Sequence, residues 1–227
     1  MTEEKMKGAK VMFRNLINKW MKYKEAALVK EIQSIRTKRL DTEEEERVEV
    51  HNPTDLPLLS KHEKYAVFGL DKNHIVKIYT KKGYAEREFN NLRLGAEKGI
   101  SFNAYDWGPN FVVTDYSEAP SLLEHLKSHL MTRELAEKIT RLLDNLDESG
   151  FMTNQAPEDI LILSDGSLKT VNLKKNLAAK SPFPKKLLKG LGDHTMTFLQ
   201  FIFEIDKARY EEWSRQPEFQ EFVQNRE

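Results

Sequence analysis

The apolar spacing of this chain changes character at Asn52-Pro53, and the change limits what either side can fold into. Upstream, residues 5–40 are rich in Lys and Arg and hold no proline. Apolar side chains recur there at four-residue intervals, at Met12, Leu16 and Trp20 and at Phe13, Ile17 and Met21. A helix brings positions four apart onto one face, so the spacing predicts a long amphipathic helix over residues 5–40. Residues 41–49 are mostly acidic and read as a linker ending in a turn at Asn52-Pro53.

Downstream the runs are short and β-like. Tyr65-Ala66-Val67-Phe68 and Ile75-Val76-Lys77-Ile78-Tyr79 flank Asp71-Lys72-Asn73, which predicts an antiparallel hairpin. Residues 84–98 set Phe89, Leu92 and Ala96 on one helical face, with Gly99 as a stop. A turn at Trp107-Gly108-Pro109-Asn110 leads into a strand, Phe111-Val112-Val113-Thr114. Helices are predicted over residues 121–129 and 132–148, the second burying Leu135, Ile139, Leu142, Leu143 and Leu146. Ile160-Leu161-Ile162-Leu163 and Leu168-Lys169-Thr170-Val171 form a second hairpin around Ser164-Asp165-Gly166-Ser167. From Pro182 onward the chain reads as short helices, and no internal repeat is present.

Composition narrows the function. With 227 residues the chain suits one catalytic-type domain plus an extension. Its 36 basic and 36 acidic residues cancel, which argues against a general nucleic-acid binder while leaving room for a local basic patch. The absence of cysteine excludes disulfides, thiolate metal sites and cysteine nucleophiles. No apolar run approaches the ~18 residues of a membrane span. Nor does the sequence open like a signal peptide, so a cytoplasmic location is expected.

The order strand, strand, helix, strand, linker, long helix, hairpin resembles the protein kinase fold. Ile75-Val76-Lys77-Ile78 is similar to the strand whose lysine holds ATP phosphates, and Glu88, four residues before Leu92, fits the carboxylate that positions it, with Glu86 as the fallback. Residues 111–122 look like the strand, gatekeeper and hinge of that family. Thr114 then stands at the gatekeeper, with Asp115 and Tyr116 offering backbone groups to an adenine. Gly150-Phe151-Met152-Thr153-Asn154-Gln155-Ala156-Pro157-Glu158-Asp159-Ile160-Leu161 resembles the catalytic loop. Residues 182–191 look like the segment that replaces the large C-terminal lobe in short kinase-like proteins of Gram-positive bacteria.

The resemblance implies an α+β kinase-like fold with a small β-rich N-lobe over residues 51–116 and a truncated, mainly helical C-lobe over residues 117–227. Residues 1–50 would be a helical and acidic extension. It also implies that the chemistry has been lost. Met152 stands at the histidine position, Asn154 at the catalytic-base aspartate, and Asp159 at the metal-binding asparagine. Thirteen residues after Asp159, Asn172 replaces the aspartate that chelates magnesium. Ser60, His62 and Tyr65 occupy the three glycine positions of the phosphate loop, and Tyr65 would intrude on the phosphates. A neutral amide is no general base near neutral pH and a poor ligand for a hard cation. What survives is weak ATP binding through Lys77 and a single-magnesium site built from Asp159 and nucleotide phosphates.

The expected function is therefore a pseudokinase, a regulatory or scaffolding module that binds a protein partner. One alternative is an atypical ATP-dependent serine/threonine or small-molecule kinase using Lys77, Glu88 and Asp159. Another is a membrane-surface adaptor working through the basic residues 10–24, where Lys10, Arg14, Lys19, Lys22 and Lys24 interleave with Trp20 and Tyr23. Plainer readings stand beside these. Lys77 alone resembles any solvent-facing strand lysine, Glu88 sits among charged neighbours, and Asp159 can serve merely to cap the loop before a strand. Met12, Leu16 and Trp20 can simply pack the N-terminal helix on the domain. His125 and His129 have helical i, i+4 spacing but no evident third ligand.

Overall fold

A computed structural model describes residues 26–39, 48–176 and 181–225. Residues 5–25 of the predicted helix, with Met12, Leu16, Trp20 and the basic positions 10–24, lie outside the described residues, as does most of the acidic run. The chain divides into two units, Met1–Asn90 with Asn103–Tyr116, and Asn91–Phe102 with Ser117–Glu227.

The described part of the first unit begins with helix α1 (Ala26–Ser34), strand β1 (Arg36–Arg39) and strand β2 (Val48–His51). The helix predicted to reach residue 40 thus ends at Ser34. Ile32 and Ile35 are fully buried, and the turn after Ser34 lets Arg36–Arg39 pair antiparallel with Val48–His51, from Arg36↔His51 to Arg39↔Val48. Burial of Ile35 together with a strand ladder outweighs continuing a helix through Arg-Thr-Lys-Arg, which has no apolar face to offer. For the same reason the tail of the predicted linker is strand, with Val48 buried.

The main sheet of this unit has five antiparallel strands in the order β3 (Leu58–Lys61), β4 (Tyr65–Asp71), β5 (His74–Tyr79), β7 (Phe111–Asp115) and β6 (Ala104–Trp107). The predicted β4–β5 hairpin is present, closing at Asp71↔His74 around Lys72-Asn73. The two outer strands were not predicted. Each has only four residues and a register shift against its neighbour, so neither carries a clean two-residue alternation. One sheet face, Ala66, Phe68, Val76, Ile78, Phe111 and Val113, is covered by Ile32 of α1, by Ile35 just after it and by Val48 of β2. Each such aliphatic side chain contributes about 1.5–3 kcal/mol on burial, so the N-terminal segment is structural cover for the sheet. The opposite face carries Lys77.

Helix α2 (Tyr84–Glu97) has residues in both units and ends as predicted ahead of Gly99, which takes φ 73°. The rest of the second unit is α3 (Leu122–Leu126), α4 (Arg133–Glu148), a 3₁₀ turn (Pro157–Asp159), the hairpin β8 (Ile160–Ile162) and β9 (Leu168–Thr170), helix α5 (Lys185–Gly190), a second 3₁₀ turn (Gly192–His194), and helices α6 (Thr195–Ile205), α7 (Lys207–Ser214) and α8 (Pro217–Gln224). Ser121 and Glu124 cap α3 reciprocally, and Thr132 caps α4. All five apolar positions predicted on α4 are buried, joined in the core by Phe151, Ile160, Phe183, Leu187, Leu188, Phe198 and Ile202. The molecule is thus mixed α and β, and among the described residues no helix is long and apolar enough to cross a membrane.

Candidate functional site

In the first unit the predicted lysine and carboxylate meet. Lys77 sits mid-strand in β5, opposite Val67 on one side and Val112 on the other. Its ammonium donates to Oε1 of Glu88 on α2 at 3.0 Å, and Lys77 as a whole is 6% exposed. Glu86, the fallback, is exposed. The Tyr65 ring centroid lies 5.4 Å from the same ammonium, a cation–π distance. His62 stacks on Tyr65 at 4.4 Å, and the Tyr79 ring lies 5.3 Å from it. Burial pushes the Tyr79 hydroxyl well above the usual phenol range, and the nearby Glu88 carboxylate adds to that shift by disfavouring a phenolate. Two positions where the resemblance calls for glycine thus form an aromatic cover over Lys77.

Thr114, Asp115 and Tyr116 are tied into the sheet. Thr114 is 3% exposed and its hydroxyl donates to the Asn103 carbonyl at 2.7 Å. The Asp115 N–H is given to Asn103 O at 3.1 Å and the Tyr116 N–H to Asn73 O at 2.7 Å. An adenine at this edge would have to displace those bonds or use carbonyls. The Asp115 carboxylate accepts from the Asn103 backbone and side chain and from the Tyr105 hydroxyl. Burial, followed by that bond to Asp115, raises the Tyr105 hydroxyl far above its ordinary range. Asn103 and Tyr105 were missed, because nothing in the sequence marks a partner ten or more residues away on an unpredicted strand.

In the second unit Met152, Asn154 and Asp159 lie in the segment before β8, and Asn172 lies just after β9. Asp159 ends the 3₁₀ turn, and its carbonyl accepts from Val171 N–H at 2.9 Å, which extends the β8–β9 ladder and sets Asn172 beside it. The Asn172 amide then reaches Asp159 Oδ2 at 3.4 Å, a long hydrogen bond. Asn154 points elsewhere. Its Oδ1 accepts the Lys186 N–H at 2.6 Å, capping the start of α5 from a distant loop. Met152 is held by its N–H to Lys174 O at 2.9 Å. Gln155, which sequence reasoning passed over, is 5% exposed and braces the loop by donating to Met152 O and accepting from Thr170. Asn91, 6% exposed, does similar work by donating to Leu173 O at 3.1 Å. Its position three residues after Glu88 was the available signal.

Asp159 and Asn172 bring one carboxylate and one amide together. A magnesium ion takes six oxygens, usually one or two carboxylates with waters and substrate phosphates supplying the rest. Here one carboxylate is shared with an amide N–H, and among the described residues no group of three His, Asp or Glu could hold a metal. The His125 and His129 rings stack at 4.2 Å, and His129 Nδ1 lies 3.1 Å from the His125 carbonyl. Burial, with the neighbouring His129, lowers the His125 pKa. An open groove of about 370 Å³ runs along α4 beside Lys138, Arg141, Asn145 and Leu168, and no predicted site residue lines it. No protein-family model matches the chain, and neither does any curated protein.

Proposed function

We propose that the chain is a kinase-like module that has given up phosphoryl transfer and works by binding a protein partner. The observation that carries this reading is the engagement of Asn154 with the Lys186 N–H. The side chain at the catalytic-base position is a neutral amide spent on capping a helix. The pairing of Asn172 with Asp159 supports it further, since the two groups offer a hard cation a single carboxylate between them. Phosphoryl transfer depends on placed charge, and these positions have lost it. Support for the kinase-like part is the element order β4, β5, α2, β7, α3, α4, β8–β9 together with the Lys77–Glu88 pair.

A second reading, an atypical ATP-dependent kinase, is favoured by that same buried pair, which is the arrangement a phosphate-holding lysine needs. The membrane-adaptor reading rests on residues 10–24, outside the described residues. The test is the melting temperature with millimolar ATP, in magnesium and in EDTA. A ligand at a hundredfold its Kd adds roughly 2.7 kcal/mol to folded-state stability. The proposal expects a much smaller shift, equal in both buffers. A full-sized shift that requires magnesium would overturn it in favour of the enzyme.

A further inference from the structure

Between Asp165 and Asp193 the sequence holds seven lysines and no arginine or acidic residue, although basic and acidic residues balance over the chain as a whole. Backbone bonds gather the two ends of this run on one loop of the second unit. Met152 N–H is bonded to Lys174 O at 2.9 Å, and Asn176 N–H to Gly150 O at 3.0 Å. Two residues beyond Met152, Asn154 holds the Lys186 N–H. Gly190 approaches Pro157 so closely that a Cβ there would fall 2.5 Å from the proline ring, which fixes the far end of α5 to the same loop. Lys174, Lys185, Lys186 and Lys189 are exposed around it. The neighbouring carboxylates are Glu158, exposed in the turn, Asp159 beside it, which accepts from Asn172, and Glu218, 3.9 Å from Lys185 with both side chains more than half exposed.

We infer that this face docks a carboxylate-rich segment of a partner protein, an inference that rests on the partner-binding reading above. Among the described residues the surface offers charge without anchors. The apolar residues of α5, Leu187 and Leu188, are buried inward, as is Phe183. The large exposed apolar side chains among the described residues, such as Trp107, Leu130 and Phe203, belong to other segments. A membrane-surface site needs an apolar wedge, and single-stranded nucleic acid needs aromatic platforms. Duplex nucleic acid shares the attraction to lysines, and the test below separates it from an acidic peptide. An extended acidic peptide needs only spaced cations, and it gains on-rate and specificity from them.

The test is fluorescence anisotropy of a labelled Asp/Glu-rich peptide without hydroxyl residues, with the full chain and no nucleotide. The expected result is salt-sensitive binding, weakened about tenfold by Lys174→Glu with Lys186→Glu and about threefold by the milder Lys174→Gln with Lys186→Gln. Unchanged melting temperature of the milder variant checks that it folds. The inference is overturned if the peptide binds no better than its Asn/Gln counterpart, or if both variants bind as the parent does. It is also overturned if anionic vesicles or duplex DNA bind more tightly and lose that binding in the same variants. Since nucleotide is absent, phosphate transfer found separately would sink the non-catalytic reading and leave this result standing, and the reverse holds equally.

Discussion

The ammonium of Lys77 donates a 3.0 Å hydrogen bond to Glu88, and the two side chains are only 8% and 13% exposed. Two charges so far from water stay because each compensates the other, and removing one partner strands the other. Glu88→Ala should therefore cost about 3 kcal/mol in urea denaturation. Lys77→Met should cost about 1 kcal/mol, because it fills the same space without charge and the helix carboxylate can turn outward or take a proton. The double variant should be more stable than Glu88→Ala alone. A double variant whose cost equals the sum of the two single costs would mean that the pair is not a coupled buried unit.

Tyr65 covers the same ammonium, braced by His62. Tyr65→Ala should enlarge the ATP-dependent rise in melting temperature over that of the parent chain, whereas Tyr65→Phe, which keeps the ring, should not. No difference between the two variants would show that the ring does not restrict access to Lys77.

Asn154 caps α5 through its Oδ1. Asn154→Ala should cost about 1 kcal/mol, the usual loss when a helix-start N–H loses a side-chain acceptor. Asn154→Asp keeps an acceptor and places negative charge near a helix start, so it should be tolerated or slightly stabilising. Chemical denaturation of both variants checks this, and a destabilising aspartate would contradict the capping role.

Ser121 and Glu124 close the reciprocal cap of α3, and the N–H and hydroxyl of Ser121 hold the Glu124 carboxyl below its usual pKa. A depressed folded-state pKa gives stability that is present above the unfolded value and lost as pH falls through the folded one. Ser121→Ala should cost about 1 kcal/mol at neutral pH. The gap in melting temperature between the parent and Glu124→Gln should be open at neutral pH and close as the pH drops below the ordinary carboxylate range. A gap constant with pH would rule out the carboxylate form of the box.

Strong periodic signals were legible in the sequence. The buried face of α4 and the β4–β5 hairpin follow from spacing alone, because a repeated apolar face has one way to be buried. The end of α1 was not legible. Arg36–Arg39 becomes strand only because Val48–His51 is there to pair with it, and local propensity contains no such partner. Within the site, Lys77 and Glu88 could be matched by motif spacing, and the structure brings them together. The turning of Asn154 toward Lys186, thirty-two residues later, could not be read, since the contact depends on where α5 folds back.

The most direct test of the central claim is transfer of labelled γ-phosphate from ATP by the full chain, to itself or to a mixed protein substrate, in magnesium and in manganese. The expected result is no transfer above the level of Lys77→Met. Transfer by the parent chain that disappears in both Lys77→Met and Asp159→Ala would contradict it and make the chain an active kinase.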